Sequence, residues 1–368
     1  MIYNKLQAFI RAEYFRRGFQ EVKTPILAKQ GLWEISGHWD KYRKDMFTLK
    51  KDVDDKHEYG ISPMNCPKSC IIFKHSSRSY RDLPLRLADC GALHRNENSN
   101  SVHNLTRNYC FCQDDAHIFC TPDQIKTELT DALQFLTYVY EKFGFSFTIG
   151  LSTRPDNFIG SIDLWDKAED VLKDTLNDCG FQYIVNVKDG AFYGPKIDIK
   201  LTDSLGRFHQ CATIQLDFQL PICFDLKYID SSCNEQTPIM IHRAIFGSFE
   251  RFIAVLCEHY KGKWPFWLNY AQVKILPINS KCVEYANDLK NKLMHHMYHV
   301  KVDDNDLTLS KKIKLAQLEQ YNYVLVVGIK EVESNTVCVR RRNSPNTNTQ
   351  DVMTMDDLLS ELKMMAEV

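Results

Sequence analysis

The sequence predicts an α+β fold, with an antiparallel sheet flanked by helices and a small α/β domain after it. Three observations carry this. Residues 85–120 hold two apolar, strand-like runs around a polar loop rich in Asn and Ser, the pattern of a long antiparallel hairpin. Residues 181–218 read mainly as strands, with Gly190 and Gly194 as turn points. From Gln272 the pattern alternates strand, helix, strand, helix, strand over residues 273–278, 282–294, 300–302, 309–318 and 323–327. Between these regions, residues 261–269 collect Trp264, Trp267, Pro265 and Gly262, which marks a boundary between domains at 1–262 and 270–368.

The composition fits two ordinary globular domains. A chain of 368 residues is long enough for two cores, and 44% hydrophobic against 25% charged residues is unexceptional. A formal net charge of -1 gives no global field to draw in nucleic acid, so any RNA contact must come from local patches. No run of about 18 apolar residues and no signal peptide is present, so the expectation is a cytoplasmic protein with no membrane partner. An organelle is not excluded. The 13 cysteines contain no CxxC pair and are scattered as in a reduced compartment.

In chain order, residues 4–17 carry Leu6, Phe9, Ile10 and Tyr14 at helical spacing, with Gly18 as the C-cap. Residues 19–27 read as a strand that includes Pro25. Thr121-Pro122-Asp123-Gln124 is a helix start, followed by a stripe of Ile125, Leu129, Leu133, Leu136 and Val139 that predicts core packing. Residues 162–176 read as another amphipathic helix, and residues 241–256 as a strand entering a helix. Ser248 and Arg251, three apart, share a helix face there.

The hairpin carries the chemistry. Arg95 and Arg107 stand near its two ends, where guanidinium forks can grip phosphate oxygens. Phe111 offers a flat face to a base, and Glu97 an acceptor for an exocyclic amine. The bland alternative is a charged surface hairpin with Phe111 in the core. It explains any one of these residues better than it explains the whole set.

That set resembles motif 2 of the class II aminoacyl-tRNA synthetases. RLADCGALHRNE, then LTR and QDDAHIFC, is similar to the threonyl branch of that family. GLWEISGHWDKY, ISPMNCP, SYRDLPLRLAD, AFYGPKID, TIQLDFQLP and IHRAIFGSFERFIAVL follow the same pattern in family order. The resemblance implies a class II sheet followed by an anticodon-binding domain. The implied reaction joins threonine to tRNA(Thr) through an adenylate, with ATP, L-threonine and tRNA as partners and Mg²⁺ accompanying ATP.

The resemblance also implies roles for individual residues. Arg95, Arg251 and Lys196 match catalytic positions. Glu97, Arg107, Phe111, Gln210, Thr213 and Ser248 join Arg95 and Arg251 at the ATP. Met64, Gln113, Asp115, Tyr193 and Gln215 match positions around threonine. Taken singly, each polar strand residue could equally belong to a generic polar face. A lone cysteine such as Cys66 is more often core than ligand. The resemblance nevertheless pairs Cys66 with His117 and His242 as ligands of one Zn²⁺ per chain, with a fourth position open as at catalytic rather than structural sites. After MNCP the family commonly continues Gly-His, whereas this chain has Lys68-Ser69.

The helix–strand unit of residues 4–27 resembles motif 1, which implies a homodimer interface, though an edge helix and strand would look the same. Family members usually carry further N-terminal domains, one of which edits mischarged tRNA, and the sequence matches none of them. From Ala271 onward the charges balance, so the C-terminal domain is not globally basic. Its basic patches are Lys311-Lys312-Lys314 and Arg340-Arg341-Arg342. Either could be a solvated face, but the resemblance implies anticodon contact through Glu331 and Arg340. The family's anticodon-reading asparagine falls at Asp306, beside Asn305. Two other readings remain open at this stage: a non-catalytic class II paralogue that binds RNA or regulates translation, and a protein-interaction module using the dimer surface. Three arginines poised for a triphosphate argue against both.

Overall fold

The computed structural model describes residues 1–50, 58–202, 206–342, 344 and 351–367. The chain divides into two compact units, Ala8–His259 and Tyr260–Val368 with Met1–Gln7.

The larger unit is built on an eight-stranded sheet. Its order is Gln20–Glu21, Leu85–Asp89, Asp115–Cys120, Ile239–Ala244, Phe208–Asp217, Lys196–Thr202, Phe147–Ser152 and Tyr183–Asn186. The inner pairings are antiparallel and the two edge pairings are parallel. The helix Ile125–Phe143 lays its predicted stripe inward: Ile125, Leu129, Leu133, Leu136 and Val139 are all buried. Each contributes roughly 1.5–3 kcal/mol from area removed from water. Gly144, at φ 73°, ends that helix in the left-handed region, which a Cβ would disfavour.

The predicted hairpin is present in two parts. Leu85–Asp89 pairs with Asp115–Cys120 inside the large sheet, Leu85 opposite Phe119 and Asp89 opposite Asp115. At Cys90-Gly91 the chain leaves the sheet, and the Asp89 carboxylate accepts from Gly91 N at 2.9 Å. Ala92–His94 then pairs with Cys110–Cys112 as a separate ribbon. Arg95 and Phe111 therefore lie on or beside the ribbon, while Asp115 and His117 lie on the sheet.

The expected strand over residues 19–27 is two strands instead. Gln20–Glu21 joins the large sheet, and Leu27–Lys29 pairs with Glu58–Ile61 in a small three-stranded sheet. The break has a local cause: Pro25 has no N–H for a ladder, and Thr24 is turned onto Asp89, its hydroxyl donating to Oδ2 at 2.5 Å. The helix Cys66–Lys74 starts at Cys66 with Pro67 in its first turn, so Lys68-Ser69 does not displace its start. At the tight turn before Lys196, a Cβ on Gly194 would lie 2.1 Å from the Leu216 carbonyl oxygen, which explains the glycine.

The smaller unit has a five-stranded sheet ordered Val300–Val302, Val273–Pro277, Tyr323–Val327, Thr336–Arg341, Asp351–Thr354. Its first two pairings are parallel and its last two antiparallel. The strands and helices up to Val327 match the sequence reading closely. The later elements, Ile329–Ser334, Thr336–Arg341, Asp351–Thr354 and Met355–Ala366, were not read from the sequence. Its core packs Val273, Ile275, Leu289, Leu293, Leu325, Val337, Val339, Leu358 and Leu362.

Candidate active site

One cleft of the larger unit is lined by Met64, Cys66, Arg95, Glu97, Arg107, Phe111, Gln113, Asp115, His117, Tyr193, Gln210, Thr213, Gln215, His242, Ser248 and Arg251. These are all the positions singled out in that unit except Lys196. The sheet register explains much of the convergence. His242 stands opposite both His117 and Gln215 on neighbouring strands. Thr213 and Gln215 share a face, as alternation requires.

The cationic part of the cleft holds three guanidinium groups. Arg95 lies over the Phe111 ring, 5.1 Å from its centroid, and its Nε donates to the Pro63 carbonyl at 3.2 Å. Arg107 grips Glu97, with Nη2 to Oε2 at 2.7 Å, so these two residues face each other in this structure. Arg251 donates to the carbonyls of Thr106 (2.8 Å) and Gln210 (3.0 Å). Ser248 Oγ accepts from Arg251 N at 3.1 Å, so the serine starts the helix that carries the arginine. Burial first, and then the charges of Arg95 and Arg107, hold the Arg251 guanidinium below its usual range. Cations pressed together in this way favour a polyanion between them.

The other group gathers around His242. Ligand atoms of Cys66, His117 and His242 all lie within 4.8 Å of one another, and all three residues are buried. One nitrogen of each ring is already held: His117 Nδ1 by Ser69 Oγ at 3.1 Å, and His242 Nε2, which donates to Asp217 Oδ2 at 2.9 Å. The second nitrogen of each remains for a metal, which is how ligating histidines are usually oriented. One thiol and two imidazoles suit Zn²⁺. Burial raises the Cys66 thiol pKa well above its usual value and lowers that of His117. Asp115 sits beside this cluster, its Oδ1 3.6 Å from His117 Nε2 and its Oδ2 accepting from Asn65 Nδ2 at 3.1 Å. Burial pushes its carboxyl up to about 6. Tyr193 donates to Gln215 Oε1 at 2.7 Å and stacks at a tilt against His242. Thr213 Oγ1 is buried with no hydrogen-bond partner among the described residues.

Lys196 stands outside this lining. Its ammonium is 2.7 Å from Asp198, which also accepts from Ser152 Oγ at 2.8 Å and from Gln210. The lysine thus belongs to a partly buried polar network beside the cleft.

In the smaller unit, Glu331 caps its own helix, with Oε2 accepting from Gly328 N at 2.8 Å. Arg340 lies opposite Val324 in the sheet. The two basic patches are only partly surfaces. Arg341 is bound by Glu361 and Asp351, and Arg342 donates to the carbonyls of Trp264 and Gln320. Lys312 is buried and donates to the carbonyls of Pro277 and Asp303 at 3.3 and 3.1 Å.

Residues 47–260 match the family model described as the tRNA synthetase class II core domain (G, H, P, S and T). The chain belongs to the class II aminoacyl-tRNA synthetases. Residues 272–365 match the model of an anticodon-binding domain.

Among curated class II relatives, the chain is 50% identical over 364 residues to threonine–tRNA ligase 1, cytoplasmic, of Homo sapiens, covering 98% of this chain and 50% of that one. It is 51% identical over 368 residues to the probable threonine–tRNA ligase 1, cytoplasmic, of Dictyostelium discoideum, covering all of this chain and 51% of that one. The chain therefore spans about half the length of the curated relatives it matches. A solved structure titled as the RNA binding domain of threonyl-tRNA synthetase from Cryptosporidium parvum superposes with TM-score 0.94 at 48% identity, covering 99% of this chain and 90% of that one. A putative threonyl-tRNA synthetase from Aeropyrum pernix gives 0.81 at 27% identity, with 99% and 85% covered.

The class II motifs pointed to the residues that face the cleft but not to those that hold them. Asn65, Ser69 and Asp217 each touch a site residue through a hydrogen bond between segments far apart in sequence. Only the proximity of Asn65 and Ser69 to Cys66 could have drawn notice.

Proposed function

We propose that this chain is the catalytic and anticodon-binding part of a threonine–tRNA ligase, residues 1–262 carrying the chemistry and 270–368 the anticodon contact. One observation carries the reading. A single cleft brings three guanidinium groups together with a Cys–His–His cluster beside a buried carboxylate. The first set suits a triphosphate, and the second suits a small amino acid with a hydroxyl.

In the first step the threonine carboxylate attacks the α-phosphorus of ATP, and pyrophosphate leaves. Such a reaction needs positioning and charge stabilisation above all. Arg95 holds the α-phosphate, and Arg107 and Arg251 the γ-phosphate. Phe111 and Arg251 sandwich the adenine, which requires Arg95 to move its guanidinium off the ring it covers here. Glu97 accepts from the adenine amine with the lone pairs that Arg107 leaves free. Gln210, Thr213 and Ser248 complete the nucleotide side, and Lys196 acts from the Asp198 network at its edge. Class II synthetases use Mg²⁺ with ATP, and the ion would supply charge neutralisation along the triphosphate beside these arginines.

On the amino-acid side, Asp115 accepts the threonine hydroxyl, and Gln113, Tyr193, Gln215 and Met64 surround the rest. Zn²⁺ held by Cys66, His117 and His242 would supply a Lewis-acid position for the amino and hydroxyl groups. In the second step a hydroxyl of the tRNA(Thr) 3′ ribose attacks the adenylate carbonyl, and AMP leaves. Glu331 and Arg340 contact the anticodon.

The proposal extends to a homodimer through residues 4–27. Phe15 is 85% exposed on the helix Ile2–Arg16, and Ile26 and Leu27 are also exposed. It extends to a cytoplasmic location, as the names of the relatives suggest. Among the described residues, no helix is long and apolar enough to cross a membrane. The test is charging of tRNA(Thr) by the purified chain with ATP. Threonine should be joined to the tRNA 3′ end. Binding of tRNA without charging by any amino acid would overturn the reading.

A further inference from the structure

The stretch from Ser62 to Asn65 enters the cleft without belonging to any strand or helix. It supplies Met64 to the lining and the Pro63 carbonyl to Arg95. What holds it is Lys68, in the first turn of the following helix. This lysine is 6% exposed, and among the described residues its ammonium pairs with no carboxylate. Its three acceptors are the Pro25 carbonyl at 3.2 Å, Ser62 Oγ at 3.1 Å and Asn65 Oδ1 at 3.0 Å. An ammonium has three hydrogens, so all of its donors are engaged.

The contact to Asn65 has a directional consequence. An ammonium only donates, so Asn65 must turn its amide oxygen toward Lys68. The amide nitrogen then faces the other way, where it donates to Asp115 Oδ2 at 3.1 Å and approaches the Asp89 carbonyl at 3.4 Å. Chemistry at both ends fixes the orientation of an amide that its shape alone would leave ambiguous. One oxygen of Asp115 is thereby occupied; the other, Oδ1, lies 3.6 Å from His117 Nε2, and both residues line the cleft.

We propose that Lys68 is a specificity-positioning residue: acting through Asn65, it fixes the Asp115 carboxylate so that its free oxygen receives the hydroxyl of the amino-acid substrate. The inference rests on the threonine reading of the cleft. A lysine that only anchored the helix start would support every substrate equally. A lysine that aims Asp115 matters only to substrates with a hydroxyl.

The experiment measures ATP–pyrophosphate exchange with threonine, serine and valine for the wild-type chain and for Lys68→Met. Losing the aim of one hydrogen bond should lower kcat/KM for threonine and serine together by roughly tenfold, through KM. Any loosening of the Pro63 contact to Arg95 lowers exchange with all three amino acids alike, so the threonine-to-valine ratio still falls roughly tenfold. Asn65→Leu keeps Lys68 in place and should lower the ratio in the same way, which provides the test should the lysine variant not fold. A threonine-to-valine ratio equal to wild type, whatever the common fall in rate, would overturn the proposal. No threonine-dependent exchange by the wild-type chain would instead overturn the reading beneath it.

Discussion

His242 Nε2 donates to the Asp217 carboxylate at 2.9 Å, across neighbouring antiparallel strands, while Asp217 Oδ1 accepts from the backbone N–H groups of Gln219 and Leu220. One carboxylate therefore fixes the ring of a proposed metal ligand and starts the short helix Gln219–Cys223. Asp217→Asn should lower zinc affinity by about 10–100-fold, the usual effect of losing such a partner. Competition against a chromophoric chelator measures this. Zinc retention equal to wild type would mean that Asp217 serves only the helix start.

Removing the metal tests the cluster itself. Exhaustive chelation should abolish threonine-dependent exchange, and one equivalent of Zn²⁺ per chain should restore it. Cys66→Ala should lose bound metal and threonine affinity together. Chelated protein that retains full activity would rule zinc out of the reaction.

Arg95→Ala should remove about 3 kcal/mol or more of transition-state stabilisation, on the order of 10²-fold in exchange rate. The fold should survive, because among the described residues the side chain makes one bond to a backbone carbonyl and lies over one ring. A folded variant within a few-fold of wild type would show that its role is misassigned.

Arg86 and Glu128 provide a stability contrast. Glu128 is almost fully buried and is gripped by both Arg86 Nε (2.8 Å) and Nη2 (2.5 Å). Arg86→Ala leaves that carboxylate unpaired and should cost roughly 3 kcal/mol or more in urea unfolding. A loss within 0.5 kcal/mol, about what an exposed pair gives, would contradict this.

Arg340→Ala should weaken tRNA charging and leave ATP–pyrophosphate exchange alone, since the residue lies in the smaller unit. An equal loss in both assays would assign Arg340 to folding.

Periodicity made the stripe from Ile125 to Val139 and the strands up to Val327 readable, because neighbouring residues dictate those features. The motifs named residues that converge on one cleft because the family pattern constrains their types. What escaped was set by contacts remote in sequence. The run at residues 19–27 splits where Thr24 meets Asp89, 65 positions away. Lys312, read as part of a basic patch, is buried because the carbonyls of Pro277 and Asp303 converge on it. Nothing in composition distinguishes a lysine that faces solvent from one surrounded by carbonyls.

The central claim is that this cleft activates threonine, and amino-acid-dependent ATP–pyrophosphate exchange tests it most directly. Threonine should support exchange. Serine, lacking only a methyl, should be roughly 10–200-fold poorer in kcat/KM, and valine on the order of 10⁴-fold poorer because it leaves Asp115 unpaired in a buried pocket. Exchange that is absent with threonine, or as fast with valine as with serine, would contradict the account.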